Sequence, residues 1–172
     1  SMAMTREYAE REARATRNAL HDPMLGLPNR TLVLQRLDGD LAAIRSSRRE
    51  DDALFLAYID LDHFKSINDS IGHHVGDELL FKVARRLKNC LEPGDMLGRL
   101  ASDEFVILHL GTGGREAGEA LGKRIMAAFA EQFSVLEHKL QVTASCGIAW
   151  GPEQSDDATD LLRLADIALF RA

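Results

Sequence analysis

Two aspartates, Asp60 and Asp62, leave the end of an apolar run with Leu61 between them. In an extended chain residues i and i+2 point to one side, so the pair offers hard oxygen ligands of the kind Mg²⁺ takes, phosphate oxygens completing the shell. Lys65 follows one helical turn later and can offset phosphate charge as a point donor. Asn68 and Asp77 carry groups that can read a base edge, an amide for a carbonyl and a carboxylate for a ring N–H with an exocyclic amine, which is the pattern of guanine. Taken singly, each residue has a plainer account: Asp60 ends a strand, Asp62 caps a helix, Lys65 is solvated. The whole string from Asp60 to Asp77 favours the chemistry over those accounts.

The elements that must position these residues are legible from periodicity. Ala53 to Ile59 is an unbroken apolar run bounded by charges, a buried central strand ending near Asp60. Before it, Thr5 to Leu20 is charged and Ala-rich with no Gly or Pro, an exposed helix. HDPMLGLPNR at 21–30 breaks the chain, a helix runs from about Thr31 to Ser46, and SSRREDD at 46–52 is a polar loop. After Asp77, Leu79, Leu80, Val83, Ala84, Leu87 and Leu91 form a helical stripe, with Lys82, Arg85, Arg86 and Lys88 as a solvated face. Met96 to Leu100 and Phe105 to Leu110 form a hairpin whose ASDE turn holds Asp103 and Glu104. Antiparallel pairing beside the first strand can carry that turn to the Asp60 end of the sheet. Arg115 to Phe133 reads as a helix, Ser134 to His138 and Leu140 to Trp150 as a pair of strands, and Thr159 to Ala172 as a terminal helix. This order gives an α/β sandwich with a mostly antiparallel central sheet.

Composition narrows the class. With 172 residues the chain is long enough for one domain with a real core plus a helical extension. A formal net charge of −6 and a pI near 5.5 argue against a nucleic-acid surface but are compatible with a nucleotide held through a metal ion. Cys90 and Cys146, without CxxC spacing, read as small core residues in a reducing compartment. No apolar run approaches the roughly 20 residues of a membrane helix, and no signal-peptide pattern appears. The piece is therefore expected to be cytoplasmic and without membrane contact, its parent remaining free to be membrane-anchored. Ser1, Met2 and Ala3 read as an expression scar.

IDLDHFKSINDSIGHHVGDELL, residues 59–80, closely resembles the first signature of the GGDEF family, the diguanylate cyclase domains, and RLASDEFVIL at 99–108 resembles the second. HDPMLGLPNR resembles the family's DxLTGLxNR motif, with Met24 and Leu25 in place of Leu and Thr; Asp22 and Arg30 are expected to form a structural ion pair. Residues 140–150 resemble VTxSxGIA, and the last helix resembles ADxALYxAK but stops before its lysine. The resemblance covers residues 21–172 as a GGDEF domain and leaves 1–20 as an N-terminal linker helix. It implies the palm-like fold of nucleotide cyclases and polymerases, with a ferredoxin-like core.

The resemblance also implies a reaction: two GTP molecules, one on each subunit of a homodimer, joined into cyclic di-GMP with loss of pyrophosphate, using Mg²⁺ or Mn²⁺. Carried over residue by residue, Asp60, the Leu61 carbonyl and Asp103 hold metal, and Glu104 serves the second ion or deprotonates the hydroxyl. Lys65 stabilises phosphate charge, Asn68 and Asp77 read guanine, and Leu27 touches it. Attached sensor and EAL phosphodiesterase domains are the implied partners.

Three departures bear on activity. Ala101 and Ser102 stand where the family has two glycines; a left-handed backbone there costs a non-glycine residue about 1 to 2 kcal/mol, and a Ser102 Cβ enters the phosphate path. Glu92 stands where active members carry the Arg of an RxxD inhibitory motif, so EPGD keeps only Asp95 and product feedback is expected to be absent. The terminal lysine lies beyond Ala172. These features favour a GTP- and Mg²⁺-binding regulatory module with weak or no turnover; an active cyclase is the alternative, and retention of the guanine and metal positions argues against an inert scaffold.

Overall fold

The computed structural model describes residues 1–47 and 49–170; the expected end of the last helix at Ala172 and Arg48 of the polar loop lie outside the described residues. The elements run α1 (Met2–Leu20), α2 (Arg30–Ser46), β1 (Asp52–Leu61), α3 (Phe64–Ile71), α4 (His73–Asn89), β2 (Met96–Ala101), β3 (Glu104–Thr112), α5 (Arg115–Ala127), β4 (Phe133–Val135), β5 (His138–Leu140), β6 (Ala144–Gly151) and α6 (Ala158–Phe170).

The central sheet has the order β2-β3-β1-β6, and every neighbouring pair is antiparallel. Helices cover both faces, which is why β1 reads as a continuous apolar run instead of an alternating one. Phe55, Ala57, Ile59 and Leu61 face a core shared with Leu79, Val83 and Leu87 of α4 and Leu121 and Ile125 of α5. Leu54, Leu56 and Tyr58 face a second core with Val33, Leu37 and Leu41 of α2 and Leu161, Leu162 and Ala165 of α6. α1 buries no residue. It is tied to the domain at its end, where Asn29 caps α2 through Leu32 N and donates from Nδ2 to the Ala19 carbonyl (2.8 Å).

Three expectations are corrected. The fifth helix ends at Ala127, not Phe133, because Arg86 of α4 reaches across and donates to the following carbonyls of Ala128, Glu131 and Gln132, and lies over the Phe133 ring. Arg86 is accordingly not part of a solvated face. The strand pair expected at 134–138 and 140–150 separates: β4 and β5 make a small hairpin, Leu136 at φ 53 sits in its turn, and β6 leaves it to pair with β1. Alternation holds on each side of the break, with Phe133 and Val135 buried about exposed Ser134 and Val142 and Ala144 buried about exposed Thr143, while residues 136–139 between them are all exposed.

Candidate nucleotide site

The candidate carboxylates gather where β1 ends, β3 begins and β6 enters. Asp60 is the cross-strand partner of Glu104, and the Leu61 N–H donates to the Asp103 carbonyl at 3.1 Å. The hairpin therefore brings its turn to the Asp60 end, as the sequence suggested. The charges that act most strongly on Asp60 are all carboxylates: Asp103, Glu104, Asp62 and Asp166 of α6. Partial burial comes first among the causes and this repulsion second; together they push the Asp60 carboxyl up to about 6. Among the described residues no three His, Cys, Asp or Glu side chains form a ready-made metal cage. The donor set still fits a hard cation such as Mg²⁺, which takes one or two carboxylates and completes its shell with water and phosphate oxygens. Crowded carboxylates without a cation are the chemistry such an ion relieves.

Asp62 does not cap a helix. Its carboxylate accepts from Thr143 Oγ1 and Ser145 Oγ, both at 2.8 Å, and its N–H donates to the Thr143 carbonyl at 2.9 Å. This binds the exit of β1 to β6, and α3 starts behind His63, whose φ of 58 turns the chain. Lys65 is exposed on the first turn of α3, with Asn68 one turn further on the same face. Asp77 is exposed in the first half of α4, which follows α3 after Gly72 at φ 101. Leu27 is only 4% exposed and packs in the same core cluster as Phe64 and Val75.

The ASDE turn departs from expectation. Neither Ala101 nor Ser102 has a positive φ; among the described non-glycine residues only His63 and Leu136 do. A register shift between Arg99 and Ala101 lets the hairpin turn without the left-handed residue that glycine would provide, so the anticipated strain does not arise. Arg99 holds the turn by donating to the carbonyls of Ala101 and Ser102. Its other nitrogen pairs with Asp22 at 2.8 Å, so the expected Asp22–Arg30 pair is an Asp22–Arg99 pair. Both side chains of the turn stay exposed on its surface.

Sequence reasoning missed Tyr58, Asp166, Thr143 and Ser145. Tyr58 donates to Glu104 Oε2 at 2.7 Å, and burial followed by that bond raises its phenol well above the ordinary range. The strand period of two placed Tyr58 on the Asp60 face, a signal that was readable. Nothing local marks Asp166, which reaches the site from the last helix.

Glu92 and Asp95, at the far end of the β2–β3 hairpin, are engaged within the chain. Glu92 pairs with Arg124 at 3.1 Å; the Asp95 side chain, 2% exposed, accepts from His109 Nδ1 at 2.7 Å and from Glu92 N at 2.9 Å.

An antiparallel sheet covered by helices, with carboxylates at one strand end, is the palm-like arrangement of nucleotide cyclases. Residues 19–172 match the family described as "Diguanylate cyclase, GGDEF domain", and the chain belongs to that family. It is 36% identical over 176 residues to the bifunctional diguanylate cyclase/cyclic di-GMP phosphodiesterase MucR of Pseudomonas aeruginosa, covering 99% of this chain and 25% of that protein. It is 34% identical over 151 residues to the cyclic di-GMP phosphodiesterase PdeR of Escherichia coli, covering 88% of this chain and 22% of the relative. The chain thus spans about a quarter of the length of these curated relatives. A crystal structure of a sensory box/GGDEF family protein from Caulobacter crescentus superposes with a TM-score of 0.81 at 34% identity, covering 89% of this chain and 97% of that one. No described helix is long and apolar enough to cross a membrane.

Proposed function

We propose that this chain is a GTP-binding GGDEF domain of cyclic di-GMP signalling, acting chiefly as a regulatory module with turnover weakened at its ASDE turn. The observation that carries this reading is the cluster of uncompensated carboxylates around Asp60 beside a turn that presents two side chains, Ala101 and Ser102, where the family has glycines. Asp60, the Leu61 carbonyl and Asp103 would hold Mg²⁺ or Mn²⁺. Glu104, oriented by Tyr58, would serve the second ion or take the hydroxyl proton. Lys65 offsets phosphate charge; Asn68 and Asp77 hold guanine, with Leu27 beneath it. When bound, the divalent ions lower the hydroxyl pKa and offset charge on the transferring phosphorus. An attached sensor or phosphodiesterase domain would read the nucleotide state, and a homodimer would bring two such sites together.

An active cyclase is the second reading, favoured by the turn closing without positive φ at Ala101 or Ser102. Two measurements test these readings, the first checking the guanine assignment that both share and the second separating them. GTP with Mg²⁺ is expected to raise the thermal midpoint and ATP is not, because only a ligand that binds the native state raises it; equal shifts would sink the guanine assignment. Pyrophosphate release is then followed for Ala101→Gly with Ser102→Gly, in a chain that continues past Ala172. A rise of at least about tenfold, equivalent to about 1.4 kcal/mol of barrier and abolished by Asp103→Ala, marks a cyclase impaired at its turn. No rise, with GTP still bound, leaves the regulatory module.

A further inference from the structure

The carboxamide of Asn68 lies against α4 at Gly76. A Cβ built at Gly76 would overlap Asn68 Oδ1 and stand 2.9 Å from its Cγ, with Phe64 Cζ at 3.5 Å on the other side. Oδ1 is buried there without a hydrogen-bond donor, so the space left by the missing side chain is what lets the carboxamide sit against α4. With the oxygen turned into α4, the Nδ2 group is the half left for a ligand. An NH₂ in that position donates; it suits the carbonyl of guanine, whereas adenine offers an exocyclic amine at the corresponding place, donor against donor.

We infer that Gly76 is a specificity-determining positioning residue: by leaving room for the Asn68 carboxamide it lets the amide sit with its donor toward the base. The inference rests on the GTP-binding reading above and deepens it. Gly76 has no positive φ and lies inside a helix, so backbone conformation does not require a glycine there. Alanine is the better helix former at such a position. The atom a methyl group would displace is the far end of a movable side chain.

The test is Gly76→Ala, Asn68→Ala and the double variant of the 172-residue chain, with calorimetry of GTP and ATP in Mg²⁺ and thermal midpoints without nucleotide. Gly76→Ala is expected to melt no lower than the wild type, yet to bind GTP at least about tenfold more weakly and to lose the preference over ATP. In the Asn68→Ala background the same substitution is expected to cost no further affinity, since coupled residues are not additive. A GTP preference that survives Gly76→Ala overturns the inference alone, as does an equal loss in both backgrounds. So does a Gly76→Ala chain that fails to fold, because the contact would then press on something that cannot move. A wild-type chain without any preference for GTP overturns both the inference and the reading beneath it.

Discussion

The two ends of the β2–β3 hairpin carry acidic residues in opposite circumstances. At the turn, Asp103 and Glu104 join Asp60, Asp62 and Asp166 with no cation among the charges that dominate Asp60. At the far end, Glu92 and Asp95 are met by Arg124 and His109, and their backbone groups close on one another through Asp95 N to Glu92 O at 3.0 Å. In the first group Glu104 and Asp62 accept hydrogen bonds from hydroxyls, and burial together with the neighbouring carboxylates raises the pKa of Asp60. In the second each carboxylate has a basic partner within the chain, although Nε and Nη2 of Arg124 are buried there without a hydrogen bond. Counting carboxylates does not separate a binding site from a structural corner; asking what neutralises each one does.

The largest effect that sharpens this contrast belongs to the satisfied corner. Asp95→Ala would leave the His109 ring and the Arg124 guanidinium facing a buried gap, and breaking a buried charged contact costs about 3 kcal/mol. Urea unfolding should show that loss. A change below about 0.5 kcal/mol would mean the corner is as loosely held as an exposed ion pair.

The opposite sign is expected at the turn. Asp60 titrates near 6 in the folded chain against 3.8 in the unfolded reference. Between those values the native state holds a proton that the unfolded state has released, so this group's contribution is full below about pH 4 and is lost as pH rises through about 6. Above that, the ionised carboxylate is a net cost. Asp60→Asn should therefore stabilise the chain at pH 7 without divalent cations by on the order of 1 kcal/mol, a figure reduced for solvent screening of a half-buried group. The gain should vanish at pH 4, and the variant should lose the midpoint increase that Mg²⁺ with GTP gives the wild type. A destabilised Asp60→Asn at pH 7 would show that the cluster is already compensated within the chain.

How far the sequence carried these regions differs in a telling way. β1, α4 and the hairpin follow from apolar periodicity, a property of each segment alone, and the arrival of Asp103 at Asp60 follows from antiparallel pairing. What periodicity could not carry was the choice of distant partners. Asp22 took Arg99 over Arg30, and Arg86 captured carbonyls about forty residues on and ended α5 early. The ASDE turn differs for a related reason: a glycine requirement presupposes one turn geometry, and a register shift supplies another. Each of these outcomes depends on side chains meeting across elements, which no local window contains.

The smallest expected effect concerns cyclic di-GMP at the 92–95 corner. Binding a phosphodiester there calls for a guanidinium fork on the loop, and Glu92 presents a carboxylate that repels it. Of the guanidinium groups nearby, that of Arg124 is already paired with Glu92 at 3.1 Å and lies 3.9 Å from Asp95, and that of Arg36 donates to the Gly94 carbonyl at 2.6 Å and pairs with Asp40 at 3.1 Å. Glu92→Ala removes the repulsion together with a half-exposed pair to Arg124 and a 3.9 Å contact with His109, so stability should move by only a few tenths of a kcal/mol. Titration of cyclic di-GMP should give no heat assignable to this surface, in that any signal from the nucleotide site persists unchanged in Glu92→Ala. A bound cyclic di-GMP contacting Glu92 and Asp95 in a crystal would refute this, and would mean that Arg124 can exchange its internal carboxylate for a ligand phosphate. The corner would then have to be classed with the turn, as a place where the chain leaves charge for a ligand to complete.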